Sequence, residues 1–265
     1  MKNSAWLLIW AVTILILNVQ TILAQELTVD KIVEKANLVA YYAAGDGKSD
    51  VKMVITDSQA RQRTREFQIL RLNIEKGGEQ KFYVYFKSPA DVAKMVFMVW
   101  KHIRVDDDRW LYLPALDLVR RIAASDKRSS FIGSHFVYED VSGRGVSEDS
   151  HELVDASGNH YKIKNIPKQT KGVEFAYYFV WVDKASFIPT KAEYYNAQDK
   201  LIRTIEALEV IDIQGNPTVI KSIAKDLERG GQTTMEFLNI EYDVGLTEDI
   251  FAERYLRRAP VKWVK

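Results

Sequence analysis

Apolar and polar positions alternate with a period of two along most of this chain, which departs from that rhythm near its N-terminus, in its middle and near its C-terminus. Residues Thr28 to Ala44 instead place Val29, Ile32, Val33, Ala36, Val39 and Ala40 at i, i+3, i+4 spacing, which predicts an amphipathic helix. Thr28 can cap that helix, Asp30 suits its first turn, and Gly45 and Gly47 follow its last.

From Ser49 to about Val244 the pattern reads mostly as strand. Val51, Met53 and Ile55 alternate with more polar neighbours, and Phe67–Leu72 and Lys81–Phe86 flank Gly77-Gly78. Met95–Trp100, Arg109–Leu113, Leu118–Ile122, Tyr161–Ile166 and Val173–Val182 continue the series, followed by Ile188–Tyr195, Leu201–Ile213, Thr218–Asp226 and Thr233–Val244. Turn signals separate them, among them Asp155 to Asn159, Gln214 to Pro217 and Gly230-Gly231. About eleven strands in an antiparallel meander are predicted. No helices of 10 to 15 residues intervene, so a doubly wound parallel sheet is excluded. Thr247–Arg258 predicts a short helix with acidic residues in its first turn, basic ones in its last, and Pro260 beyond it.

Ser125 to Gly145 breaks the alternation. Phe131, Ile132, His135, Phe136 and Tyr138 fall within eight residues there. A run of this kind inside a meander predicts a loop or short helix that carries apolar groups across a face or mouth of the sheet. The same side chains would equally serve as a core plug. Where both parities of a strand are apolar, as at Phe82–Phe86 and Phe175–Trp181, both faces need cover, and a thick core and a lined cavity have the same composition.

Residues 1–24 have a different character. One basic residue, Lys2, precedes an apolar run from Ala5 to Leu17, and Ala24 stands before Gln25-Glu26, the three-part pattern of a secretory signal peptide. The run is shorter than the ~20 residues that cross a bilayer. Cleavage after Ala24 is expected, leaving residues 25–265 as one exported, soluble domain. The full chain has 37 Lys and Arg against 36 Asp and Glu, and removing the segment leaves the two balanced. Such a balance gives no support to nucleic-acid binding. The absence of cysteine removes thiol nucleophiles, thiolate metal sites, disulfides and a thioether-linked lipid together.

The chain offers little catalytic chemistry. The four histidines are scattered, without HExxH or a clasp spacing, and no metal site is predicted. Ser134 and His135 are adjacent, a poor geometry for a nucleophile and its base, and GxSxG is absent. Two SxxK tetrads, at Ser49 and Ser222, lie in strands, where residues three apart face opposite ways. Asp106–Asp108 lacks the ligand spacing of a calcium loop and predicts a hydrated hairpin tip. Glu139 and Asp140 are neighbouring carboxylates beside aromatic residues, but nothing identifies a partner for either in glycoside chemistry. A non-enzyme without a cofactor is predicted.

Several ordered blocks resemble one family. Ser88-Pro89-Ala-Asp91, Asp108-Arg-Trp110-Leu-Tyr112-Leu-Pro114, Val119-Arg120-Arg121-Ile122 and Ser130-Phe131-Ile-Gly133-Ser134-His-Phe136-Val-Tyr138-Glu139-Asp140 are similar to the exported outer membrane lipoprotein-sorting proteins related to LolA. Tyr178 to Lys184 and Pro189 to Tyr195 resemble that family's next paired strands. Lys94 is followed by Met95 where relatives tend to carry Lys-Gly. The resemblance implies a mainly β (α+β) fold, a half-open antiparallel barrel with a helical or loop lid over an apolar cavity. It also implies a periplasmic carrier that takes acyl chains of lipoproteins or lipids toward the outer membrane. Transient contact with an inner-membrane transporter is part of that picture, and an adaptor of such a transporter without cargo of its own is the alternative. On this reading Trp110, Tyr112, Phe131, Phe136 and Tyr138 are the expected cavity or lid residues. Arg120 and Arg121 are expected at the rim, with strand alternation allowing only one of the two to face inward.

Overall fold

A computed structural model describes residues 27–264, and the expected signal peptide, residues 1–24, lies outside them. The chain opens with helix α1 (Val29–Tyr41). Thr28 caps it by accepting a hydrogen bond from the Lys31 amide at 3.4 Å, and Ile32 and Ala36 carry its buried stripe.

Thirteen strands follow. The first six are β1 (Asp46–Thr56), β2 (Gln62–Asn73), β3 (Gln80–Ser88), β4 (Val96–Lys101), β5 (Asp108–Leu113) and β6 (Leu118–Ile122). After a long connection that contains helix α2 (Tyr138–Ser142) come β7 (Asp149–Asp155), β8 (His160–Pro167), β9 (Tyr177–Asp183) and β10 (Pro189–Tyr195). The last are β11 (Leu201–Ile213), β12 (Asn216–Asp226) and β13 (Gln232–Tyr242), with helix α3 (Arg254–Arg257) behind them.

Each strand pairs antiparallel with its sequence neighbour, with two exceptions. β1 pairs with β13, and β6 does not pair with β7. The result is one continuous sheet with β6 and β7 as its free edges, a barrel left open along a single seam. Gly47 makes the β1–β13 join possible, because a Cβ there would lie 2.9 Å from the Tyr242 ring. The residues joining the two edges are the nonperiodic segment of the sequence, so topology places that segment at the seam.

Strand alternation separates two cores. Val51, Met53, Phe67, Val84, Phe86 and Phe97 point inward and meet Phe131, Phe136 and Tyr138 from the connection. Phe131 is fully buried, with its ring centroid 5.5 Å from that of Phe97, 5.9 Å from Phe86 and 6.0 Å from Phe67. Leu70, Tyr83, Val96, Met98 and Trp110 point outward and are covered by Leu246, Ile250, Phe251 and Leu256 of the C-terminal segment. Two hydrogen bonds pin that cover: the Tyr83 hydroxyl donates to the Tyr255 carbonyl at 2.7 Å and the Trp100 indole N–H to the Phe251 carbonyl at 2.9 Å.

Three details differ from the sequence reading. The sheet has 13 strands where about eleven are expected; the one that matches none of the strand-like runs is β7, which reads DSHELVD, a mostly exposed and polar edge with no apolar alternation. The expected helix over Thr247–Arg258 is split into a 3-10 turn at Glu248–Phe251 and α3, with Ala252 extended between them. The break lets Ile250, Phe251 and Leu256 all reach the sheet. Within the Asp106–Asp108 turn, only Asp106 is fully exposed. Asp107 accepts from Arg109 at 2.6 Å and from the His102 amide at 3.0 Å, and Asp108 pairs with Arg121.

Candidate functional site

The inward faces of the sheet and α1 do not meet completely. Between them lies a cavity of about 480 Å³, within the ~300–1,000 Å³ typical of small-molecule sites. Val33, Ala36 and Ala40 of α1 form its roof. Ile69, Val84, Phe237 and Ile205 line the sheet side, and Phe131, Phe136 and Val141 close it at the seam. The helix is held over β8 and β9 by Ile32 and Ala36 against Ile163 and Val182.

One wall of the cavity is ionic. Glu139 of α2, 1% exposed, accepts hydrogen bonds from Arg128 at 3.1 Å and Arg144 at 3.3 Å and pairs with Lys127 at 2.8 Å. Burial pushes its pKa up, but the three cations outweigh that and hold it down at about 2. Arg128 grips Glu174 with its other two nitrogens, at 2.5 and 3.1 Å, and its guanidinium lies 5.0 Å from the Phe175 ring centre. Arg144 takes both oxygens of Asp149 at 2.8–2.9 Å, and Asp149 also accepts from the Tyr178 hydroxyl at 2.7 Å. Arg203 of β11 closes the network on Asp140.

This network joins the seam segment to both halves of the sheet. Arg144–Asp149 ties it to β7, Arg203–Asp140 to β11, and Lys101 of β4 donates to the Ser142 carbonyl at 2.6 Å at the end of α2. Lys101 is 4% exposed, and its desolvation lowers its pKa to about 8. An ionised Glu139 enclosed by three cations is a structural clasp rather than a proton donor.

The structure distributes the sequence-predicted residues over three places. Phe131 and Phe136 line the cavity. Tyr138 packs in the inner core, 5.1 Å from Phe97, with Arg120 at its hydroxyl. Trp110 and Tyr112 do not reach the cavity: their parity on β5 turns them outward, beneath the C-terminal segment, where Trp110 packs edge-on against Trp100 at 4.9 Å. Arg121 also faces outward, paired with Asp108 and lying over Trp110. Ser134 and His135 point to different partners, Ser134 to Phe136 and His135 to Thr233 at 2.8 Å. Among the described residues no group of three or more His, Asp or Glu is placed to hold a metal. Nor is any described helix long and apolar enough to cross a membrane.

Sequence reasoning missed Arg128, Arg144, Arg203 and Tyr41. Charges in a nonperiodic run carry no mark of burial, and Tyr41 sits at the C-terminal end of α1, beyond the last of its stripe positions.

A sheet open along one seam, a helix across its inner face and an apolar cavity beneath define the LolA-like class of half-open barrels. Three solved structures share the architecture. A DUF1329 family protein from Desulfovibrio piger aligns with a TM-score of 0.77 and 29% identity over 85% of this chain and 95% of its own. A domain from Vibrio parahaemolyticus named for outer membrane lipoprotein sorting gives 0.77 and 26% over 86% and 98%. A LolA superfamily protein from Nitrosomonas europaea gives 0.68 and 18% over 86% and 99%, a likeness of fold. The comparison with curated proteins found no match. A family model described as "Uncharacterized protein" matches residues 78–258, and the chain belongs to that family.

Proposed function

We propose that this protein is a periplasmic carrier that shelters an acyl chain of a lipoprotein or lipid in the cavity and hands it on toward the outer membrane. The observation that carries the reading is the cavity itself: about 480 Å³ of mainly apolar lining between α1 and the inner face of the sheet, closed at the seam by Phe131 and Phe136. Each methylene moved there from water gains about 0.8 kcal/mol, so a chain is held without covalent chemistry. No catalytic step is needed, and the buried carboxylates are committed to arginines.

The seam segment and α1 both border the cavity, so movement of either would widen access to it. The name of the Vibrio neighbour supports a sorting role, and a periplasmic location agrees with the expected signal peptide. Hand-over would involve brief contact with a membrane transporter, as the family resemblance implies.

Titration of the mature protein with a fluorescent long-chain acyl probe tests the reading. Saturable binding of one probe per protein is expected, and Phe136→Asp should abolish it while the far-ultraviolet circular dichroism stays that of a β protein. A wild-type protein that takes up no probe and carries no lipid after gentle purification would instead be an adaptor without cargo.

A further inference from the structure

Two tyrosine hydroxyls in the cavity are left without a protein partner. Tyr194 of β10 is 8% exposed and Tyr41 ends α1, and both line the cavity. Other enclosed tyrosines are satisfied: Tyr42 donates to the Gly78 carbonyl at 2.6 Å, Tyr83 to that of Tyr255 at 2.7 Å and Tyr178 to Asp149 at 2.7 Å. Among the described residues the hydroxyls of half-buried Tyr41 and buried Tyr194 have no such bond, although a tyrosine O–H withdrawn from solvent normally finds one.

Neither ring is free to swing toward water. Tyr194 stacks on Tyr178 with centroids 4.9 Å apart, and the Arg203 guanidinium sits 5.0 Å from its ring centre. The tip of the Tyr41 ring presses on Gly143, where a Cβ would be 2.6 Å from Cζ, and Lys101 lies 5.3 Å from its ring centre. Burial pushes both hydroxyls to higher pKa, so both are protonated donors at neutral pH.

The wall beside them selects against an anion. Arg128, Arg144 and Arg203 are each paired with carboxylates, one Arg203 nitrogen remaining without a partner, and Arg71, which also lines the cavity, is bound to the Tyr41 and Ala43 carbonyls. Asp140 and Glu139 both act on the two hydroxyls electrostatically. A ligand oxygen suited to this place accepts hydrogen bonds and carries no charge.

We infer that Tyr41 and Tyr194 form a polar subsite inside the cavity that donates hydrogen bonds to an uncharged carbonyl oxygen of the cargo, the ester or amide that attaches an acyl chain to the rest of its molecule. The inference rests on the cavity holding an acyl chain. It makes the cargo an acylated molecule, bound past its linkage group, rather than a free fatty acid.

Competition against the fluorescent acyl probe tests this with methyl palmitate, palmitate and hexadecane on the wild type and on Tyr41→Phe, Tyr194→Phe and the double variant, each checked for cooperative melting. The wild type should prefer methyl palmitate to both other ligands. The ratio of ester to hexadecane affinity should fall roughly fivefold for each single variant, the factor that one neutral hydrogen bond confers. An unchanged ratio in a folded double variant, or tighter binding of palmitate than of its ester, would overturn the subsite and leave the carrier standing. Failure of the wild type to bind the probe at all would overturn both.

Discussion

Glu139 accepts a hydrogen bond from Arg128 at 3.1 Å in a setting where only 1% of the Glu139 surface is exposed. The first residues of α2 and the strand-free segment before it are therefore joined by a buried charge pair, with Arg144 and Lys127 on the same carboxylate. The pair makes the seam sensitive to acid. The Glu139 pKa is about 2 in the folded protein against an ordinary value of 4.5. Its contribution is complete above pH 4.5 and is lost as the pH falls through 2, about 3 kcal/mol in all. Glu139→Gln should destabilise the protein by about 3–5 kcal/mol at neutral pH, since it leaves cations unpaired, and should flatten the acid limb of stability. Urea unfolding across pH 2 to 6 measures both.

Lys101 gives the opposite limb. Desolvation lowers its pKa from 10.5 to about 8, so between those values the unfolded chain holds more protons than the folded one. Stability should rise with pH over that window, by about 1–2 kcal/mol before the tyrosines begin to titrate near pH 10. Lys101→Met should remove the rise. Denaturant midpoints taken at intervals across the window show whether it does.

Phe131 should be the most costly single truncation in the seam segment. Its ring is fully buried among Phe67, Phe86, Phe97 and Tyr138. Phe131→Ala should cost about 3–5 kcal/mol, whereas a leucine that keeps most of the volume should cost clearly less. Thermal melts of the two variants compare them directly.

Gly143 is a second sensitive point. Its φ of +76° is a conformation that side chains rarely adopt, and its missing Cβ makes room for the Tyr41 ring. Gly143→Ala should lower stability by about 1–3 kcal/mol and push α1 away from the end of α2. Faster hydrogen exchange in Val29–Tyr41 would report that displacement.

Much of the fold was legible because its signals are local. The stripe of α1 and the period-two alternation of β1 need no tertiary information, and the missing period over Ser125 to Gly145 marks the segment that crosses the seam. What the pattern could not tell was which face of a two-sided apolar strand looks inward. Trp110 and Tyr112 read as cavity residues, and only the cover laid down by Ile250, Phe251 and Leu256 decides that they face outward. The ionic wall was invisible for another reason. Arg128, Arg144 and Arg203 look like surface charge in sequence and become buried only when α2, β7 and β11 converge.

A carrier of acyl chains must bind them with an affinity that depends on chain length. Across a series of acyl methyl esters, binding to the mature protein should tighten about fourfold for each added methylene, the equivalent of ~0.8 kcal/mol. It should level off once the chain fills the cavity of about 480 Å³. Affinity that does not change with chain length would mean that the acyl chain stays outside the cavity, and would contradict the carrier.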